Sequence, residues 1–154
     1  EDLVFDLRVL NRIQHIRFAP QAVVLFRPRG SLRAFYKQYY LYARGDGKAD
    51  LWRKRHLIRY LTYLIVLPAL LILTLFVHPI FGVILAFGAV IYLIGPYRRL
   101  AVLMRSASDR SWRAWITAIL MIPVIRLVGD LAKMIGYPVG IRWRLQHNPP
   151  NWRN

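Results

Sequence analysis

Few side chains in this sequence are equipped for chemistry, and most of those stand in its first third. Asp and Glu number 7 against 23 Lys and Arg, and two of the seven are adjacent, Glu1 and Asp2, just ahead of a helical pattern. Carboxylates there suit the positive end of a helix dipole, and carboxylates are also the group type that takes protons in general-base catalysis. Taken alone, the pair reads as helix-start charge. Arg8, Gln38, Tyr42 and Arg44 are the other polar side chains of interest, and none acquires a role from spacing alone. Arg8 reads as a solvated surface residue, and Tyr36, Tyr39, Tyr40 and Tyr42 as an interfacial aromatic belt. His15, His56, His78 and His147 are too scattered to ligate one ion, and the absence of cysteine excludes disulfides and thiolate metal sites.

The elements that would position these groups follow from periodicity. Leu3, Val4, Leu7 and Leu10 recur at helical spacing and predict a helix from Leu3 to Ile13. Two short β-rich runs, Ile16–Phe18 and Val23–Phe26, are separated by Ala19-Pro20-Gln21. Ser31 is a good N-cap for a second helix from about Leu32 to Tyr42, and Gly45-Asp46-Gly47 reads as its end.

This order resembles the acceptor side of family 2 glycosyltransferases: Glu1-Asp2, a helix carrying Arg8, a short strand, Pro20, a second strand, then an aromatic helix with Gln38. Ser31 to Gln38 followed by Tyr42-Ala43-Arg44-Gly45 is similar to the interface helix that leads those enzymes into the membrane. The resemblance covers residues 1–56 by motif and the remainder by architecture. It implies a partial GT-A (α/β) remnant whose Asp2 is the catalytic base, with Glu1 orienting Asp2 or the acceptor. It also implies that Arg8 pairs with a carboxylate and that Gln38, Tyr42 and Arg44 line the acceptor or diphosphate side. The implied reaction is inversion at a sugar anomeric carbon, with a nucleoside diphosphate leaving from the face opposite the attacking hydroxyl. The implied donor is a nucleotide sugar, and a Mg or Mn ion would be bound by a nucleotide-binding half that this chain lacks. The chain opens on Glu1 without Met, so upstream sequence is expected. Three positions depart from the family pattern: Val4 stands where a further Asp is common, Ile13 where a Gly is common, and Leu41 where processive synthases carry Arg. A single transfer is therefore expected rather than polymerisation.

Composition sets the wider frame. The chain is 56% hydrophobic yet carries a formal net charge of +16, a pairing that membrane proteins reach by placing apolar spans in lipid and Lys and Arg on the flanks. Anionic lipid headgroups are a simpler partner for that charge than nucleic acid, for which no module is visible. From Tyr60 to Tyr97 there is no charged residue, about twice the ~20 residues that one span needs. A hairpin is predicted, with spans near Leu57–Val77 and Ile80–Tyr97 broken at His78-Pro79, a kink at Pro68, and close helix approach at Gly82 and Gly88. Arg53, Lys54, Arg55 and Arg59 precede it, and Arg98, Arg99, Arg105, Arg110 and Arg113 follow, so both ends are expected on the cytoplasmic side.

The apolar run from Trp115 to Ile125 is too short to span alone. Arg126, Asp130 and Lys133 follow on one helical face, with Arg126 and Asp130 one turn apart. An interfacial or re-entrant helix is expected there, bent at Pro123 and Gly136-Tyr137-Pro138. The alternative is a third span with its polar face against protein. The basic tail, Arg142, Arg144 and Arg153, weighs against exporting the C-terminus.

The expected fold is a mainly α membrane protein in four parts: the GT-A remnant (1–30), an interface helix and Gly turn (31–56), a transmembrane hairpin (57–97), and a basic loop, amphipathic or re-entrant helix and tail (98–154). The expected function is sugar transfer to a lipid-linked or polysaccharide acceptor at the cytoplasmic face of a bacterial inner membrane, with the chain alone inactive. A non-catalytic anchor or scaffold binding anionic lipid or a partner protein is the alternative. A transporter component fits least, since the hairpin holds no ionisable group except His78.

Overall fold

The computed structural model describes residues 2–13, 15, 17, 19–25, 27–106 and 111–149. Six α-helices dominate: α1 (Asp2–Ile13), α2 (Leu32–Lys48), α3 (Arg53–Leu61), α4 (Leu67–Phe76), α5 (Ile80–Ser106) and α6 (Trp112–His147). A π-helical turn, Thr62–Val66, joins α3 to α4. Contacts divide the chain into two compact units, Glu1–Arg53 with Leu131–Asn154, and Lys54–Asp130.

In the first unit α1 forms where its periodicity predicts, but the described residues of the two expected strands are not in strands. Ile16, Phe18 and Phe26 lie outside the described residues, and 22–25 is irregular, with Val23, Val24 and Leu25 exposed. A strand exists by pairing its backbone with another, and among the described residues no strand is present to pair with. Among the described residues of this stretch there is a turn at Pro20-Gln21, where the Ala22 N–H donates to the Ala19 carbonyl at 3.1 Å.

Helix α2 starts at its predicted cap, with Ser31 Oγ accepting from the Ala34 N–H at 3.2 Å. It does not end at Gly45-Asp46-Gly47, which lie inside its last turns. Gly47 faces the backbone of the C-terminal part of α6: a Cβ there would stand 2.8 Å from Ile141 N and 2.9 Å from Gly140 Cα. In return, a Cβ on Gly140 would overlap the Arg44 carbonyl, and one on Gly136 the backbone of Tyr40. Ala43 and Ala132 are 0% exposed, so small residues four apart let two helix backbones touch. That contact outweighs the ~1 kcal/mol by which each glycine disfavours a helix, which is why residues that read as a stop remain helical.

The C-terminus of α2 is closed by the Ala49 N–H on the Gly45 carbonyl (2.9 Å) and by Arg144 Nη1 on the Lys48 carbonyl (2.9 Å). A cation on the last carbonyls also suits the dipole. Asp50 and Trp52 then take φ of 56°, the left-handed region that non-glycine residues seldom adopt. Arg53 secures this turn by binding the Asp50 carboxylate, with Nη2 2.8 Å from Oδ2.

In the second unit the predicted break at His78-Pro79 is present: α4 ends at Phe76, α5 begins at Ile80, and His78 Nδ1 accepts from the Ile80 N–H at 3.2 Å. Of the two glycines expected at the helix contact, only Gly82 is there, against Thr74. Gly88 has nothing within 4 Å. Six residues at ~100° each turn it onto a different face. At Pro68, where a kink is expected, the described feature is the π-helical turn. The widened turn lies one turn upstream, with the Leu67 N–H reaching the Thr62 carbonyl five residues back.

The basic loop expected from residue 98 is absent as far as Ser106, because α5 continues through Pro96 and carries Arg98, Arg99 and Arg105 on its surface. Arg110 and Arg153 lie outside the described residues. Helix α6 likewise passes Pro123 and Pro138 without ending. Pro123 cannot donate to the Ile119 carbonyl one turn back, and Tyr97 Oη donates to it instead at 3.1 Å. The segment is one continuous helix, long and apolar enough by length and composition to cross a membrane, as the alternative of a third span requires.

Three helical stretches meet that criterion by length and composition: Arg53–Phe76, Ile80–Arg105 and Trp112–His147. Leu75, Phe76, Val83 and Phe87 are all more than 60% exposed. Helices that present apolar side chains all round belong in lipid, so the chain is a membrane protein.

Candidate functional site

Two polar arrangements stand out, one in each unit. In the first unit, Gln38 and Tyr42 lie one turn apart on α2, and Gln38 Nε2 donates to Tyr42 Oη at 2.6 Å. With Arg29, Ala34, Lys37 and Leu41 they line an open cleft of about 330 Å³. Among the described residues no carboxylate lines it. Among the described residues neither Arg29 nor Lys37 has an acidic partner.

The other expected site residues are more dispersed. Asp2 is the first residue of α1, and Arg8 is exposed on the same helix with no ion pair among the described residues. Glu1 lies outside the described residues. Arg44 is half-buried: its carbonyl abuts Gly140, and its Nε is buried without a hydrogen-bond partner. Gln38 and Tyr42 are therefore the two expected site residues that the structure brings into contact. Sequence reasoning missed Lys37, although Lys37 and Leu41 share the i, i+4 spacing of Gln38 and Tyr42 and mark the same face. Arg29 left no periodic signal, since it lies in irregular chain before the cap.

The aromatic residues of α2 are less a belt than a set of local contacts. Phe35 packs on Tyr39 with centroids 4.3 Å apart, and Lys133 Nζ sits 4.7 Å from the Tyr39 ring. Lys48 Nζ lies 4.2 Å from the Trp143 ring, which stacks on His147. Each contact attracts a cation to a ring face or two rings to one another.

In the second unit the centre is Asp130, 8% exposed on α6. Arg59 Nε of α3 donates to Oδ1 at 2.9 Å, Tyr63 Oη of the π-helical turn donates to Oδ2 at 3.2 Å, and Tyr92 Oη of α5 donates to the same oxygen. Tyr63 and Tyr92 also meet, at 3.1 Å between hydroxyls. Arg59 Nη1 reaches His56 Nδ1 at 3.2 Å, and His56 is 3% exposed. Four elements thus converge on one carboxylate. This corrects one expectation: the ion-pair partner of Asp130 is Arg59 rather than Arg126, whose guanidinium lies 4.4 Å from the Tyr92 ring. The signal for this cluster was present, because Asp130 is the sole acidic residue in the three apolar helical stretches and such a residue needs a partner.

Among the described residues no three His, Asp or Glu side chains are placed to hold a metal ion. The divalent cation implied by the resemblance therefore has no ligand set among them. No family model, curated protein or solved structure matches the chain.

Proposed function

We propose that this chain is the acceptor-side and membrane part of an inverting family 2 glycosyltransferase, transferring a sugar from a nucleotide-sugar donor to a lipid-linked or glycan acceptor at the cytoplasmic face. The observation that carries the reading is uncovered apolar surface on α1 and in the chain beyond it. Leu3, Phe5 and Ile13 on α1 and Val23, Val24 and Leu25 beyond it are exposed, as they would be where a nucleotide-binding sheet packs. Exposed apolar surface of this extent marks an interaction face, and the segment 23–25 would become a strand once given an edge to pair with. The Gln38–Tyr42 cleft lies in the same compact unit.

In this mechanism the Asp2 carboxylate takes the proton of the acceptor hydroxyl as its oxygen attacks the anomeric carbon, and the nucleoside diphosphate departs from the opposite face. Glu1 orients Asp2 or the acceptor, and Arg8 balances their charge. Gln38, Tyr42 and Arg44 bind on the acceptor or diphosphate side. Placement at the cytoplasmic face follows from the basic flanks of the apolar stretches.

The test is nucleoside diphosphate release by the full-length gene product in membranes, with a panel of UDP- and GDP-sugars and lipid acceptors. Asp2→Asn is expected to lower release by about 10²–10⁴-fold with insertion unchanged. Near-normal turnover in that variant removes Asp2 as the base. No release with any donor, from well-inserted protein, replaces the enzyme by a non-catalytic anchor that binds anionic lipid or a partner protein.

A further inference from the structure

The chemistry of the α2 cleft is one-sided. Arg29 and Lys37 bring two full positive charges and only donors. The Tyr42 oxygen already accepts from Gln38 Nε2 at 2.6 Å, and its own O–H remains available as a donor. A second Gln38 N–H is also available. An anion with several acceptor oxygens, rather than a neutral sugar hydroxyl, satisfies this set, and cation-assisted hydrogen bonds to such oxygens are the strong ones. Ala34 and Leu41, on the same face of α2, add apolar surface to the lining, and a free inorganic ion leaves that surface unused. At about 330 Å³ the cleft has room for a phosphate and the first carbons attached to it. Leu32, Leu41 and Tyr42 are exposed along α2, so a hydrocarbon chain leaving the cleft continues over apolar side chains.

We infer that this cleft binds the terminal phosphomonoester of a lipid, with the phosphate on Arg29, Lys37 and Tyr42 and the first carbons along Leu41 and Ala34. This binding does not rest on the glycosyltransferase reading, and it is measured without donor or turnover.

The experiment is calorimetric titration of short-chain phosphatidic acid into the detergent-solubilised full chain, with short-chain phosphatidylglycerol and inorganic phosphate as parallel ligands. Phosphatidic acid is expected to bind at least tenfold more tightly than either. The double variant Arg29→Ala/Lys37→Ala is expected to weaken it tenfold or more, and Tyr42→Phe about threefold, while Arg98→Ala/Arg99→Ala, on α5, leaves it unchanged. Both cleft cations are exposed, so helix content and unfolding temperature are expected to match the parent. Unchanged affinity in the double variant overturns the site. Equal affinity for phosphatidylglycerol overturns the phosphomonoester, and equal affinity for inorganic phosphate overturns the lipid. Binding as expected together with no donor-dependent release leaves a lipid-binding protein that is not a transferase.

Discussion

The two compact units are held together in opposite ways. In the first, α2 and the C-terminal part of α6 meet backbone to backbone across Gly47, Gly136 and Gly140, with Ala43 and Ala132 fully buried. The contact depends on what the side chains lack. In the second, helices of large aliphatic residues expose those side chains, and their most specific junction is a single carboxylate bound by Arg59, Tyr63 and Tyr92. Between apolar helices in lipid, hydrophobic burial no longer drives association, so polar side chains and close fit carry it. The first unit uses fit, and the second uses charge.

Three substitutions separate these modes, in order of expected size. Asp130→Ala removes the acceptor that three donors share and leaves the half-buried Arg59 without its counter-ion, which costs up to about 3–5 kcal/mol. The expected result is a lowered unfolding temperature in mixed micelles. The double change Asp130→Leu/Arg59→Met recovers most of it, because no charge is then left unpaired. A double variant as unstable as the single would show that packing, not charge, sets this junction. Gly140→Ala comes next. Its Cβ would overlap the Arg44 carbonyl and sit 2.9 Å from Gly47 Cα, backbone atoms with little freedom to move. The cost is expected at the upper end of the ~1–3 kcal/mol of overpacking, read as faster amide exchange in α2. Unchanged exchange in α2 would remove the glycine contact as the reason this unit holds. The smallest effect has the opposite sign: Gly88→Ala meets nothing within 4 Å and is expected to stabilise the second unit by about 0.5–1 kcal/mol through helix propensity. A loss on that substitution would mean that another surface packs there.

Much of this was legible in the chain itself, though unevenly. The two stretches either side of His78-Pro79 and the Ser31 cap follow from local chemistry: proline interrupts a ladder, a serine hydroxyl caps one, and an unbroken run of apolar residues needs a dry solvent. The site was legible in part. Gln38 and Tyr42 were singled out, and their mutual hydrogen bond follows from helical spacing, whereas Arg29 enters the cleft from chain with no period to read. Asp130 was noticed but assigned the wrong partner, because an arginine one turn away on the same helix is the natural choice until a distant one is brought closer.

What the sequence by itself determined, then, is composition-level and local: helices, caps, the apolar stretches and the excess of positive charge. Tertiary structure decided what the special residues are for. Gly45-Asp46-Gly47 reads as a stop and becomes helix, because the close approach that needs Gly47 exists only when Gly140 is opposite. Pro123 reads as a bend and lies within a continuous helix, because Tyr97 supplies the donor that proline lacks. In each case the deciding partner is far along the chain, and a residue's cost in isolation is reversed by an interaction that only folding brings within reach.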